Sequence, residues 1–244
     1  TYTSALRQLL KQRQISQIKT DFINNMTHEF KTPIATINLA LDALKNPKVS
    51  DNKEFIARYH NMIREENRRM HTQVENVLRI SKLENDELDL EKGDLNLHYI
   101  IEDAITHISL IIENKGGYIK THLNASNYSI YGSDIHLTNI VVNIIDNAIK
   151  YSEGVPEIDI YTENQGNFLI LKIVDKGIGM SKVVQNKIFE KFYREQMGDI
   201  HNVKGHGLGL SYVKRILDDH DAEINVESEK GKGSTFSIKF HLIS

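Results

Sequence analysis

The stretch Asn143-Ile144-Ile145-Asp146-Asn147-Ala148-Ile149-Lys150-Tyr151-Ser152 decides how this chain is read. Asn143 and Asn147 stand four apart, so on a helix they share one face, one turn above the other. Leu137, Ile140, Val141, Ile144, Ile145 and Ile149 recur at helical spacing and predict that the rest of the helix is buried. One buried amide is ordinarily satisfied by backbone groups. Two of them amid apolar residues, followed by the cation Lys150 and the ring of Tyr151, fit a nucleotide with a metal-bound phosphate tail. Mg²⁺ keeps several waters and takes few protein ligands beside phosphate oxygens, which suits a neutral amide oxygen. Lys150 would neutralise phosphate charge and Tyr151 would lie against the base.

Two downstream strings extend this reading. Asp175-Lys-Gly177-Ile-Gly179-Met180 follows an apolar strand pattern. A carboxylate there can accept a hydrogen bond from an exocyclic amino group, and the glycines let the backbone approach a flat ligand. A plain strand-ending turn uses the same residue types. Gly205-His-Gly207-Leu208-Gly209-Leu210 opens a helical pattern running through Val213, Ile216 and Leu217. Glycines at a helix start expose N–H groups to an anion. No Gly-Lys-Ser/Thr follows and the preceding segment is polar, so the string is neither a P-loop nor a persuasive dinucleotide fingerprint.

The N-terminal third differs in kind. From Ser4 to Lys45 there is no glycine, and Pro33 is the only proline. Ile15, Ile18, Phe22, Met26, Phe30, Ile34, Ile37, Leu41 and Leu44 form one stripe of a long amphipathic helix. Asn46-Pro47 ends it, and Ser50 or Asp51 caps a second helix bearing Tyr59, Ile63, Met70, Val74 and Val77. Two helices offer too little core to stand alone, so a second copy is expected to complete a four-helix bundle. His28 lies roughly 160–200° round the helix from Met26 and Phe30 and points away from that core. Thr32 is one turn along, and Glu29 is placed to hold one imidazole nitrogen. A solvated polar face is the plain alternative. Pro33 predicts a kink, with the polar Asn25 beside the stripe as a second weak point.

The charged run from Glu84 to Gly93 marks the boundary, giving units 1–90 and 91–244. Beyond it the pattern predicts a helix from Leu97 to Glu113 and a strand from Tyr118 to Leu123. The Asn147 helix follows. A hairpin of Ile158–Thr162 and Phe168–Val174 then turns at Asn164–Asn167, a helix starts near Gly207, and two last strands, Glu223–Ser228 and Thr235–Leu242, flank Gly231-Lys-Gly233. Helices segregated from an antiparallel sheet make an α+β two-layer domain.

Bulk properties exclude several classes. The 244 residues carry a formal charge of −3, which is no footprint of a nucleic-acid binder. There is no cysteine, hence no disulfide scaffold and no thiolate zinc site. No apolar run is long enough for a membrane helix. The chain begins at Thr1, so any sensing or membrane segment is expected to lie outside it.

Taken together, the strings resemble the catalytic half of sensor histidine kinases of two-component systems, in the family's order. His28-Glu29-Phe-Lys-Thr32-Pro33 is similar to the phosphoacceptor box and Asn143–Tyr151 to the N box. Asp175–Gly179 resembles the first glycine box, Phe189-Glu-Lys-Phe192-Tyr-Arg194 the F box, and Gly205–Leu210 the second glycine box. The resemblance implies an N-terminal helical hairpin that dimerises as a four-helix bundle and a C-terminal Bergerat (GHKL) ATP-binding sandwich. It implies ATP and Mg²⁺, with Asn147 the main metal ligand and Asn143 helping. Asp175 would read adenine, with Thr235 reaching it through water, while Lys150 and Arg194 meet phosphate. Residues 180–204 would form a lid. His206 stands where threonine is common. The implied activity is autophosphorylation of His28 and transfer to an aspartate of a response regulator receiver domain, with Thr32 serving a phosphatase reaction. The implied setting is the cytoplasmic portion of an inner-membrane sensor. A GHKL-fold ATPase and a non-enzymatic dimeric scaffold are the alternatives.

Overall fold

The computed structural model describes residues 2–84, 90–191, 193 and 209–243. The chain divides into two compact units, Thr1–Leu88 and Asp89–Ser244, within the charged run.

The first unit is a helical hairpin. Helix α1 (Tyr2–Leu44) continues through Pro33, and a single turn, α2 (Pro47–Ser50), leads to α3 (Lys53–Glu84). Proline at the first position of α2 is favoured, because that N–H would be unpaired anyway. This extra turn displaces the expected cap. Neither Ser50 nor Asp51 starts α3; Asn52 does, its Oδ1 accepting from the backbone N–H groups of Glu54 and Phe55 at 2.9 and 3.3 Å. Along α1, Met26, Pro33 and Ala40 are buried and Phe30, Ile37 and Leu44 half-buried. Their spacing alternates four and three, as a helix seam requires. Ile34 and Leu41, expected in the stripe, lie beside the seam and stay exposed, as does Val74 of α3.

The second unit begins with β1 (Gly93–Asn96), which pairs antiparallel with β3 (Ser129–Gly132) in a small ribbon that the hydrophobic pattern did not announce. Asn96 caps α4 (Leu97–Asn114), accepting from the N–H of His98 at 2.9 Å. The main sheet contains β2 (Tyr118–Leu123), β4 (Glu157–Gln165), β5 (Phe168–Asp175), β6 (Glu223–Glu229) and β7 (Gly233–His241), in the order β2-β4-β5-β7-β6. It is not wholly antiparallel, because β2 pairs parallel with β4. The crossover between them runs through β3 and α5 (Asp134–Lys150), and a helical crossover returns the chain in the same direction. The hairpin strands extend further than expected and turn at Gly166-Asn167.

Ile158, Ile160, Leu169, Leu171, Ile173, Phe236, Ile238 and Phe240 alternate along their strands and are buried. Against them pack Ile100, Ile101, Ala104 and Ile108 of α4, and Leu137, Ile140, Val141, Ile144, Ile145 and Ile149 of α5. Helix α7 (Gly209–Asp219) completes the layer with Val213, Ile216 and Leu217. The opposite sheet face carries cross-strand pairs instead. Lys172 meets Glu163 at 2.7 Å, His122 stacks on Tyr161, and Lys239 lies 3.9 Å over the Phe168 ring. Such pairs stabilise a solvated sheet surface without a covering layer.

Candidate functional site

In the second unit the site is framed by the end of β5, the C-terminal half of α5, the start of β7 and the start of α7. Asp175 ends β5 and is buried. Its Oδ1 accepts from the N–H of Gly177 at 2.8 Å and of Ser234 at 3.1 Å. Burial raises its pKa above the ordinary carboxylate value, and these two backbone bonds oppose the shift. Among the described residues Oδ2 makes no hydrogen bond, which leaves one carboxylate oxygen to read a ligand.

The glycines give Asp175 its frame. Gly179 has φ +62° and a Cβ there would collide with the Glu229 carbonyl; Gly233 has φ +95° and a Cβ there would collide with the carbonyl of Asp175. Both positions exclude side chains by space and by backbone conformation. At Gly177 a Cβ would stand 2.6 Å from the Tyr151 carbonyl. That same carbonyl accepts from the Ile178 N–H at 3.0 Å, so the C-terminal end of α5 is pinned to the loop after β5. Ser228 adds a second knot: its Oγ accepts from the Met180 N–H and donates to the Gly233 carbonyl, both at 2.8 Å. The buried Gln185, on the one-turn helix α6 (Lys182–Gln185), donates to the carbonyls of Met180 and Ser228.

Asn143 and Asn147 lie half-buried on α5, one turn apart as the sequence requires. Asn143 donates from Nδ2 to the Asn139 carbonyl at 2.7 Å. Its Oδ1 therefore faces away from its own helix, and a Cβ on Gly209 would lie 2.8 Å from it. The first residue of α7 thus closes on a carboxamide oxygen of α5. The amide oxygen of Asn143 beside the first residue of α7, with Asn147 one turn along, fits a phosphate-bound Mg²⁺, which takes hard oxygen donors and leaves room for phosphate and water. Lys150 is paired with Asp146 on the preceding turn. Tyr151 is partly exposed just beyond the helix end.

Thr235 requires a correction. In β7 it stands opposite Val174, whereas Ser234 stands opposite Asp175. Side chains alternate between sheet faces, so Thr235 is on the other pleat and Ser234 shares the face of Asp175. Ser234 Oγ also lies 3.0 Å from Ser228 Oγ. Period-two counting from the buried Phe236 would have selected Ser234. Arg194, Gly205, Gly207, Leu208 and residues 192 and 194–204 of the expected lid lie outside the described residues.

The first unit carries its own polar cluster. His28 lies on α1, its side chain outside what is described, and Thr32 is exposed one turn further on. Glu29 points to α3: its Oε2 accepts from Gln73 Nε2 at 3.2 Å and lies 3.9 Å from Arg69. Arg69 also faces Glu66 at 3.7 Å. Gln73 is buried, and Gln73 Oε1 and Glu66 Oε2 have no hydrogen-bond partner within the described residues. Sequence reasoning missed this cluster, because Gln73 is 44 residues from Glu29 and only hairpin packing joins them.

Comparison with known proteins places both units. Residues 18–86 match the family model of the His Kinase A (phospho-acceptor) domain. Residues 132–244 match that of the histidine kinase-, DNA gyrase B- and HSP90-like ATPases. The sensor protein RprX of Bacteroides fragilis is 39% identical over all of this chain and 47% of its own length. The sensor protein kinase WalK of Staphylococcus aureus is 27% identical over 97% of this chain and 57% of its own. The chain thus spans about half the length of the curated relatives it matches. In fold it is similar to the histidine kinase ThkA, solved in complex with the response regulator protein TrrA, at a TM-score of 0.67 and 21% identity, covering 96% of this chain and 64% of that one. It is similar also to the Acinetobacter baumannii histidine kinase AdeS, at a TM-score of 0.63 and 21% identity, covering 89% of this chain and 98% of that one.

Proposed function

The chain belongs to the sensor histidine kinases of two-component systems, and from that premise we propose that it transfers the γ-phosphoryl group of ATP to His28 and then to an aspartate of a response regulator receiver domain. The observation that carries the nucleotide half is the glycine-framed Asp175, a buried carboxylate with one oxygen committed to backbone and one left to a ligand. That arrangement matches an exocyclic amino group of adenine, with Ser234 rather than Thr235 supplying a water-bridged contact.

A His28 ring nitrogen forms the new N–P bond as the bond from γ-phosphorus to the ADP oxygen breaks. The proton displaced from the ring passes to Glu29. Gln73 and Arg69 hold that carboxylate on the α3 side. In phosphoryl transfer, positioning and electrostatics provide most of the acceleration. Asn147 and Asn143 would hold Mg²⁺, which when bound offsets charge on the phosphate oxygens. Lys150 exchanges its partner Asp146 for phosphate, and Arg194, with Gly205, Gly207, Leu208 and Gly209 of the string that opens α7, completes the phosphate contacts. Thr32 positions water for the reverse task, hydrolysis of the phosphorylated partner.

Two copies pair through the hairpins. Exposed Ile34, Leu41, Val74 and Leu78 beside the seam are the apolar surface that a second copy would cover. Among the described residues no helix is long and apolar enough to cross a membrane. No nucleic acid takes part.

The test is incubation of the full chain with γ-labelled ATP and Mg²⁺. An acid-labile, base-stable product is expected, and His28→Gln is expected to incorporate no label. Wild-type labelling of that variant would reject the acceptor assignment, and ATP hydrolysis without any labelled protein would favour a GHKL-fold ATPase.

A further inference from the structure

His220, one residue past α7, joins two backbone groups that are far apart in sequence. Its Nδ1 lies 2.7 Å from the Ile216 carbonyl and its Nε2 accepts from the Ser133 N–H at 2.9 Å. A carbonyl can only accept and an N–H can only donate, so these partners select the neutral tautomer protonated at Nδ1. Ser133 is the N-cap residue of α5, is buried, and makes no capping bond with its own side chain. Its N–H thus depends on the ring of His220, and a buried N–H left unpaired is costly. The ring also sits against bare backbone. A Cβ on Gly132 would lie 2.8 Å from His220 Cδ2 and 2.7 Å from Leu137 Cδ1. Gly132 is not a turn glycine with positive φ; it is small because the imidazole occupies the space.

The same two helices touch at two further places. His136 Nδ1 and the Tyr212 hydroxyl are 2.8 Å apart. At the other end of α7, Gly209 closes on Asn143 Oδ1. We propose that His220 is a positioning residue for nucleotide binding: its neutral imidazole fastens the C-terminal end of α7 to the N-terminal end of α5, and so sets the spacing at which Gly209 meets the carboxamide of Asn143. This rests on the nucleotide site proposed above.

Protonation breaks the bridge. An imidazolium has a second N–H where Nε2 must accept, so donor would face donor at Ser133. The groups around the ring act on that equilibrium in both directions. Burial lowers the pKa below the usual histidine value, the Ile216 carbonyl opposes this, Lys92 and His136 lower it further, and Asp219 opposes. Lys92 is held in place by its own bond to the Asp219 carbonyl at the end of α7. Because the folded pKa is depressed, the stabilisation is present above the unfolded value and is lost as pH falls through the folded one.

The experiment measures, on the full chain, the affinity for a non-hydrolysable ATP analogue with Mg²⁺ between about pH 8 and about pH 5.5, together with hydrogen exchange at the Ser133 amide. The proteins are wild type, His220→Ala and His220→Gln, the last keeping one acceptor and one donor that do not titrate. The His220→Ala variant is expected to bind roughly tenfold more weakly at neutral pH and to lose Ser133 protection, as expected for one or two lost hydrogen bonds. The His220→Gln variant is expected to recover most of that affinity and to lack the acid limb that distinguishes wild type from it. Comparison with this variant cancels titration of the nucleotide and of Asp175. If His220→Ala fails to fold, coincident pH profiles for wild type and His220→Gln overturn the proposal by themselves. Wild-type affinity and Ser133 protection in His220→Ala would overturn it equally. If no form binds nucleotide while Ser133 protection still follows protonation of the ring, the nucleotide reading fails and the helix bridge survives.

Discussion

The hairpin and the sandwich solve burial in opposite ways. In the sandwich the inner face of the sheet is covered by α4, α5 and α7, and its residues are nearly inaccessible. In the hairpin a single seam is covered, while Leu41 and Val74 beside it remain 45% exposed. Polar groups divide the same way. Asp175 has its backbone partners, whereas among the described residues the buried Gln73 Oε1 and Glu66 Oε2 have no hydrogen-bond partner, although Glu66 faces Arg69 at 3.7 Å. A complete core can hold a precise site by itself. A half core stores unmet surface, which suits a unit whose packing responds to a second copy or an incoming signal.

Substitutions that act on one unit and spare the other would sharpen this contrast. The largest effect is expected from Gly233→Ala, which forces a Cβ into the Asp175 carbonyl at φ +95°. Backbone strain and overpacking together should destabilise the sandwich by about 4 kcal/mol, while the helical signal of the hairpin persists. A single shared transition lost by both units would break the contrast. Next comes Asp175→Asn, expected to weaken nucleotide binding by about a hundredfold, since the amide reverses or removes the acceptor a ligand amino group needs. Its stability effect has the opposite sign. The raised pKa means that ionised Asp175 weakens the fold as pH rises through that value, so the neutral amide should raise the melting temperature at pH 7. Calorimetry reads both quantities.

A smaller change is expected in the hairpin. Leu41→Asn should raise the dimer dissociation constant by about thirtyfold, for about 2 kcal/mol of lost apolar burial, and leave nucleotide affinity untouched. Sedimentation at several concentrations measures it, and an unchanged dimer would show that this face is not the one covered. The smallest is Asn52→Ala, removing the cap of α3 at a cost of about 1 kcal/mol. Thermal unfolding should register it in the hairpin transition alone.

Much of the fold was legible because it is periodic. The helix carrying Asn143 and Asn147 was read from apolar spacing and runs as α5 over Asp134–Lys150, and the five strands of the main sheet, though not β1 and β3, were found by their pattern. The candidate site was legible where chemistry sits in one short string, as at Asp175–Gly179. Thr235 was misplaced by a single residue, since sequence likeness does not register which pleat a position occupies. Ser50 and Asp51 were wrong caps because the local turn α2 intervened.

By itself the sequence determined the elements and most of the chemical groups, since helix and strand periods and the space a glycine leaves are local properties. Tertiary structure alone decided the partners: the parallel pairing of β2 with β4, Gln73 against Glu29, and His220 beneath Ser133. Each such contact joins residues many positions apart. Which donor meets which acceptor there is set by how the layers pack, and no local period encodes it.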